Sequence, residues 1–107
     1  MSELEELKRL GAVPQPNSGR GKSNKGDGIL DDRYIVDVKE YGKSFGLSKS
    51  VWAKICTDAS MSGKEPMLLV VLGDEGAPRT RLIVISDEEF KELKEGYDEI
   101  QKQACRD

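Results

Sequence analysis

Leu4, Leu7 and Leu10 recur at near-helical spacing before Gly11, and Ser2 with Glu5 three residues later has the form of a capping box. The chain is therefore expected to open with a short amphipathic helix. Residues 11–26 then lose all periodicity: Pro14, Pro16, Asn17, Ser18, Gly19 and Gly21 alternate with basic residues, which predicts a long loop without regular structure. The run Gly28-Ile29-Leu30 follows, turns back through Asp31-Asp32-Arg33, and meets Tyr34-Ile35-Val36-Asp37-Val38-Lys39, whose period-2 alternation is that of a strand. After a turn at residues 42–46, Ser48 is placed to cap a helix reaching about residue 62. Val51, Ile55 and Ala59 recur on one of its faces, with Trp52 and Cys56 beside them. Gly63-Lys64-Glu65-Pro66 stops that helix. Residues 67–72 are continuously apolar, as in a strand covered on both faces, and are expected at the sheet centre. A turn at 73–78, a strand at 81–85 and a second capping box, Ser86 with Glu89, lead into a last helix through Phe90, Leu93 and Tyr97. The expected order is αββαββα, an α/β architecture with a mixed central sheet flanked by helices, in one domain over residues 1–107.

Composition narrows the chemistry. At 107 residues there is room for one core and one site. No apolar run is long enough to span a bilayer and the N-terminus is acidic, so a soluble intracellular protein is expected, cytoplasmic and not bound to membrane. The chain has no histidine, which removes Ser-His-Asp and Cys-His nucleophile systems. Cys56 and Cys105 lie far apart without a metal-ligand spacing, so neither a structural zinc nor a disulfide is expected. Chemistry here must run on carboxylates, lysine or a metal. The net charge of -3 hides an asymmetry: residues 1–64 carry eleven Lys or Arg against nine acids, and residues 65–107 six against eleven. Arg20, Lys22 and Lys25, then Lys43, Lys49 and Lys54, make the first half the side that would meet a polyanion, with a solvated basic loop as the plainer alternative.

Asp37 and Lys39 share one face of their strand, and the hairpin brings Asp27 across the ladder toward Asp37. Mg2+, for which Mn2+ would substitute, needs only one or two carboxylates besides a substrate phosphate oxygen. Asp27 and Asp37 supply that number, and the carbonyl of Val38 is placed to add a backbone ligand. Such an ion polarises a phosphate and lowers the pKa of bound water, while the Lys39 ammonium would orient that water and stabilise developing charge. The alternative is a solvent-exposed Asp37–Lys39 pair on an edge strand, with Asp27 serving only the turn.

The element order with Asp27 and Asp37-Val38-Lys39 resembles the PD-(D/E)XK nuclease superfamily. Gln15-Pro16-Asn17-Ser18-Gly19, Lys25-Gly26-Asp27, Lys43-Ser44-Phe45-Gly46-Leu47-Ser48 with Trp52-Ala53-Lys54-Ile55, and Gly63-Lys64-Glu65-Pro66 resemble its small phage and archaeal Holliday-junction-resolvase-like members. This resemblance covers most of the chain. It departs from the pattern in having Gly26 rather than proline before Asp27, and Asp37 where resolvase-like members usually carry Glu. It implies a restriction-endonuclease-like core, Asp27 and Asp37 as metal ligands and Lys39 as the catalytic lysine. It also implies a further acid on the first helix, Glu3 with Glu6 as the competing choice, while Glu5 suits the cap. Ser18 and Gly19 match a loop approaching the scissile phosphate, where Ser18 either donates to a phosphate oxygen or forms a turn. Lys43, Lys49, Lys54 and residues 20–25 would contact backbone phosphates.

The expected activity is Mg2+-dependent endonucleolytic hydrolysis of branched or nicked duplex DNA, without a small-molecule cofactor and, if the chain is phage-encoded, in the host cytoplasm. Resolving two strands implies a homodimer, with Trp52, Phe45, Val51 and the apolar part of the last helix as candidate contacts. The competing expectation is a non-catalytic nucleic-acid or protein-binding module on the same fold. A third is a small acidic regulator docking through its last helix.

Overall fold

Eight elements follow in the order α1 (Glu3–Leu10), β1 (Val13–Pro14), β2 (Gly28–Leu30), β3 (Tyr34–Tyr41), α2 (Lys49–Met61), β4 (Glu65–Leu72), β5 (Thr80–Val84) and α3 (Asp87–Arg106). They come from a computed structural model, which describes residues 3–15, 27–74 and 76–106. The five strands form one mixed sheet in sequential order β1-β2-β3-β4-β5. Only β3 and β4 run parallel, joined by α2, and every other neighbouring pair is antiparallel. The chain is thus α/β, with a five-strand sheet and three helices.

The expected αββαββα order misses β1. Gly11 adopts a positive φ of 95°, its N–H and that of Ala12 donate to the Leu7 carbonyl, and the chain leaves α1 directly into Val13–Pro14, opposite Ile29 and Gly28. Proline is tolerated there because β1 is an edge strand among the described residues and needs no donor on its outer side. Gly28 has its own reason. A Cβ at that position would lie 2.9 Å from a Leu7 methyl and 3.1 Å from the Val13 carbonyl oxygen, so α1 and β1 close down on bare backbone. Gly28→Ala is expected to destabilise the domain by about 1–3 kcal/mol through overpacking, read from urea unfolding midpoints.

The β2–β3 hairpin is closed by a two-residue turn in which Asp31 and Asp32 both have φ of 55° and the Arg33 N–H donates to the Leu30 carbonyl. Positive φ at both central positions matches the twist of paired strands, and aspartate tolerates it better than most residues. The β3 alternation then sorts the core. Tyr34, Val36 and Val38 pack with Leu7, Ala12, Met67, Leu69 and Val71 under α1. On the opposite face Leu68 and Val70 meet Ile55 of α2, with Phe45, Val51 and Trp52 packed against them. Trp52, Phe45 and Val51, named above as candidate dimer contacts, thus belong to the α2–sheet cluster. β4 is buried on both faces as its apolar run implies, although β3, one strand over, is the middle strand.

Both helix caps behave partly as read. Ser48 Oγ accepts from the Val51 N–H and starts α2. Ser86 Oγ accepts from the Glu89 N–H, but the Glu89 carboxylate does not complete the box: it accepts from Arg33 Nε at 2.9 Å, from Arg33 Nη2 and from the Tyr34 hydroxyl. Ser2 lies outside the described residues. α3 leaves Phe90, Leu93, Tyr97 and Ile100 exposed.

Candidate functional site

β3 runs eight residues while β2 covers only its first half, pairing Gly28 with Val36, Ile29 with Ile35 and Leu30 with Tyr34. Residues 37–41 of β3 therefore extend past the end of β2 while staying paired to β4 on their other side. Asp27 immediately precedes β2 and Asp37 is the first β3 residue beyond its pairing. The Asp27 N–H donates at 2.9 Å to the carbonyl of Val36, the residue already opposite Gly28. In place of the next backbone bond, Asp27 Oδ2 accepts from the Val38 N–H at 2.7 Å. A strand residue aims its N–H and C=O to the same side, so the Val38 carbonyl points toward the same edge as Asp27.

Asp37 and Lys39 lie on the α2 face, in register with Leu68 and Val70 of β4, and Lys39 Nζ stands 3.2 Å from Asp37 Oδ2. Both are only part-exposed, at 21% for Asp37 and 34% for Lys39. At their positions β3 is paired to β4 alone, since β2 reaches only as far as Val36. Partial burial pulls the Lys39 ammonium down, but Asp37, by charge and hydrogen bond, with Tyr41 and Asp27, outweighs it and holds Lys39 above its ordinary 10.5. Lys39 is consequently a fixed cation, fitted to stabilise negative charge rather than to accept a proton.

Glu3, at the first position of α1, completes the cluster electrostatically. Partial desolvation, then the negative charges of Asp27, Asp37 and Glu40, push its carboxyl above the ordinary 4.5, against an opposing pull from Lys39. Glu6 is otherwise engaged. It is buried, accepts from Arg81 Nε at 2.8 Å and Nη2 at 3.1 Å, and is held below 4.5 chiefly by that hydrogen bond. Of the two competing glutamates, Glu3 is the one in the field of Asp27 and Asp37.

A raised carboxyl pKa means that the charged form is disfavoured in the folded chain. Its cost is present above the folded pKa and vanishes as acid protonates the group in both states. Glu3→Gln is therefore expected to stabilise the protein at pH 7, by less than about 1 kcal/mol because the group is exposed, and to have no such effect below about pH 4. Urea unfolding at the two pH values measures the difference.

Sequence reasoning passed over Glu40 and Arg79. Glu40 follows Lys39 on the opposite face of β3, and Arg79 Nη1 donates to it at 2.7 Å while standing 4.0 Å from Glu6. Arg79 is nearly buried, and its Nε finds no hydrogen-bond partner among the described residues. An acid directly after the Asp-Val-Lys run was the available sign; its arginine, 39 residues on, left none.

Of the candidate phosphate contacts, Lys43 and Lys49 are exposed on the segment from β3 into α2, and Lys54 is exposed but pairs with Asp58 at 3.2 Å. Ser18, Gly19, Arg20, Lys22 and Lys25 lie outside the described residues. Among the described residues no helix is long and apolar enough to cross a membrane.

Comparison with protein-family models, curated proteins and solved structures finds no match to this chain. The site must be judged on its own atoms. Among the described residues no group of three or more Asp, Glu, His or Cys side chains is arranged to hold a metal ion. The donor set is nonetheless hard oxygen: Asp27, Asp37, the Val38 carbonyl and Glu3 at longer range, which suits Mg2+ rather than a softer ion. The Asp27 carboxylate accepts from the Val38 N–H, and the Asp37 carboxylate pairs with Lys39.

Proposed function

We propose that this protein is a divalent-metal-dependent DNA endonuclease with a restriction-endonuclease-like core of the PD-(D/E)XK kind, acting on branched or nicked duplex DNA. One observation carries the reading: where β2 ends, the Asp27 carboxylate accepts from the Val38 N–H at 2.7 Å, between Asp37 and Lys39, whose carboxylate and ammonium stand 3.2 Å apart. Two acids and a lysine gathered at one partly buried strand end are the kind of cluster that functional sites use.

Asp27, Asp37 and the Val38 carbonyl would hold the ion, with Glu3 adding negative charge behind them. When bound, the ion supplies Lewis acidity toward the phosphate and a more acidic water. The chain's own residues do the rest. Lys39 places positive charge beside the phosphate oxygens, whose negative charge grows as the water oxygen bonds to phosphorus and gives its proton to solvent, while a P–O ester bond breaks and the leaving oxygen takes a proton from solvent. Asp37 fixes Lys39 through their ion pair and keeps it protonated. Lys43 and Lys49 supply charge along the duplex backbone next to the cut.

The purified protein is expected to cut labelled four-way junction, flap and nicked duplex with Mg2+ or Mn2+, to spare plain duplex by at least about tenfold, and to be inert in EDTA. Binding should weaken steeply between low and physiological salt. One observation favours a second reading, a non-catalytic DNA-binding module: no three-ligand metal group stands ready among the described residues. Salt-sensitive binding with no cutting in either metal would establish that reading in place of the first.

A further inference from the structure

We infer that the exposed ring of Tyr41, braced on Phe45 beside Lys39, stacks an unpaired nucleobase and so makes the site select branched or nicked DNA over plain duplex. Such a platform takes DNA as its ligand, and in that it rests on the reading above; it does not depend on cleavage. Tyr41 ends β3, and the strand alternation sets it on the α2 face with Asp37 and Lys39. Its register partner is Leu72, which packs on that face against the cluster of Ile55, Leu68 and Val70. The Tyr41 hydroxyl lies within electrostatic reach of the Lys39 ammonium.

The ring is held without being covered. Phe45 stacks against it with centroids 5.1 Å apart and planes 27° from parallel, and Phe45 is itself packed on the α2–sheet cluster. Tyr41 nevertheless stays 46% exposed. The other tyrosine of β3 behaves differently: Tyr34 is buried, and its hydroxyl donates to Glu89. A ring already braced from behind loses little freedom when a flat ligand lies on it. Every base offers a π-face, so stacking of this kind is tolerant of sequence and sensitive to whether the base is free.

Charge beside the ring points to the same occupant. Lys43 and Lys49 follow Tyr41 in the chain, are exposed, and make no ion pair among the described residues, whereas Lys54 is paired with Asp58. The first turn of α2 carries no acid, so the positive end of that helix is left unscreened next to Lys49. One carboxylate borders the stretch, since a Cβ on Gly42 would stand 3.4 Å from Asp74 Oδ1. A ligand suited to both features joins a polyanionic backbone to flat apolar rings, which describes a nucleic-acid strand. Bases inside a duplex are stacked on both sides and cannot reach a protein ring. At a flap, nick or crossover that cost is already met, so a platform next to Lys39 rewards a discontinuity in the helix.

If Tyr41 only shields Phe45, any apolar side chain of similar size should serve. Binding is therefore measured in EDTA, where no cutting is expected, with a flap duplex carrying 2-aminopurine at its first unpaired position and with plain duplex of the same sequence. The unmodified protein should bind the flap at least about fivefold more tightly than the duplex and should quench the 2-aminopurine fluorescence. Tyr41→Leu keeps the shield, and it should lower the flap-to-duplex affinity ratio by about fivefold or more and abolish the quenching. Tyr41→Phe and Tyr41→Trp should retain both. An unchanged ratio in Tyr41→Leu, a loss in Tyr41→Phe as large as in Tyr41→Leu, or flap binding by the unmodified protein without quenching would each overturn the platform. Cutting in Mg2+ with selection independent of Tyr41 would do the same and leave the nuclease reading standing. Flap selection through Tyr41 without cutting in either metal would support the platform and end the nuclease reading, and no binding to either DNA at low salt would overturn both.

Discussion

Asp37→Asn is expected to lower Mg2+-dependent cleavage of branched DNA by about 10²–10³-fold while leaving DNA binding intact or tighter. The substitution keeps the shape of the side chain and removes one negative charge from a strip that must receive a phosphate. Folding should not suffer. Asp37 is part-exposed, and losing its charge also relieves the repulsion that raises Glu3. Lys39→Ala should cut the rate to a similar extent by a different route, since it removes the ammonium held against Asp37 and leaves that carboxylate without its 3.2 Å partner. Its effect on binding has the opposite sign, a modest weakening, because positive charge is lost beside the phosphate. The pair of variants therefore separates chemistry from electrostatics: both lose cutting, and their affinities move apart. Because Asp37 holds Lys39 above its ordinary 10.5, activity should show no loss from lysine deprotonation as pH rises from 7 to 9. A falling rate over that range that Lys39→Ala abolished would contradict the role given to the ammonium. Single-turnover cleavage and equilibrium binding, measured on one junction substrate, decide all of this. Wild-type rates in Asp37→Asn would end the catalytic reading.

The parts of this fold that were legible from the chain are those coded by neighbours in sequence. The β3 alternation put Asp37 and Lys39 on one face, two consecutive aspartates marked a tight hairpin, Ser48 marked the start of α2, and an unbroken apolar run marked a doubly covered strand. What stayed hidden depends on partners far along the chain. β1 is two residues long, contains a proline, and exists only because β2 lies beside it. Glu6 read as a possible site residue until Arg81, 75 positions away, claimed it. Glu89 read as half of a capping box, yet its carboxylate closes onto Arg33 and Tyr34 from the other end of the sheet. Three- and four-residue spacing in α3 specified an apolar stripe but not what covers it. Periodicity records which face of an element avoids water, and only the tertiary arrangement says which neighbour answers that need.

Glu89→Ala should be the most damaging substitution outside the apolar core, lowering stability by about 2–3 kcal/mol and the melting temperature by about 10 °C or more. Its carboxylate is buried and collects two nitrogen donors from Arg33 and the hydroxyl of Tyr34, itself buried in the α1-side core. Truncation leaves that hydroxyl without its acceptor, and it removes the strongest anchor of α3 among the described residues. Arg33 suffers less, being part-exposed and still within 3.3 Å of Glu92. The sign of the pH dependence follows from the same contacts. Arg33, then Tyr34, hold the Glu89 carboxyl below its ordinary 4.5 against the opposing effect of burial. A depressed carboxyl pKa gives stability that is fully present above about pH 4.5 and is lost as pH falls through the folded value. Wild type should therefore lose stability on acidification faster than Glu89→Gln, and the gap between them should be widest near neutrality and narrow below pH 4. Urea unfolding between pH 3 and 8 tests this directly. A constant gap across that range would assign the effect to packing of the side chain, and no gap at all would mean that the Arg33–Tyr34–Glu89 cluster does not secure α3.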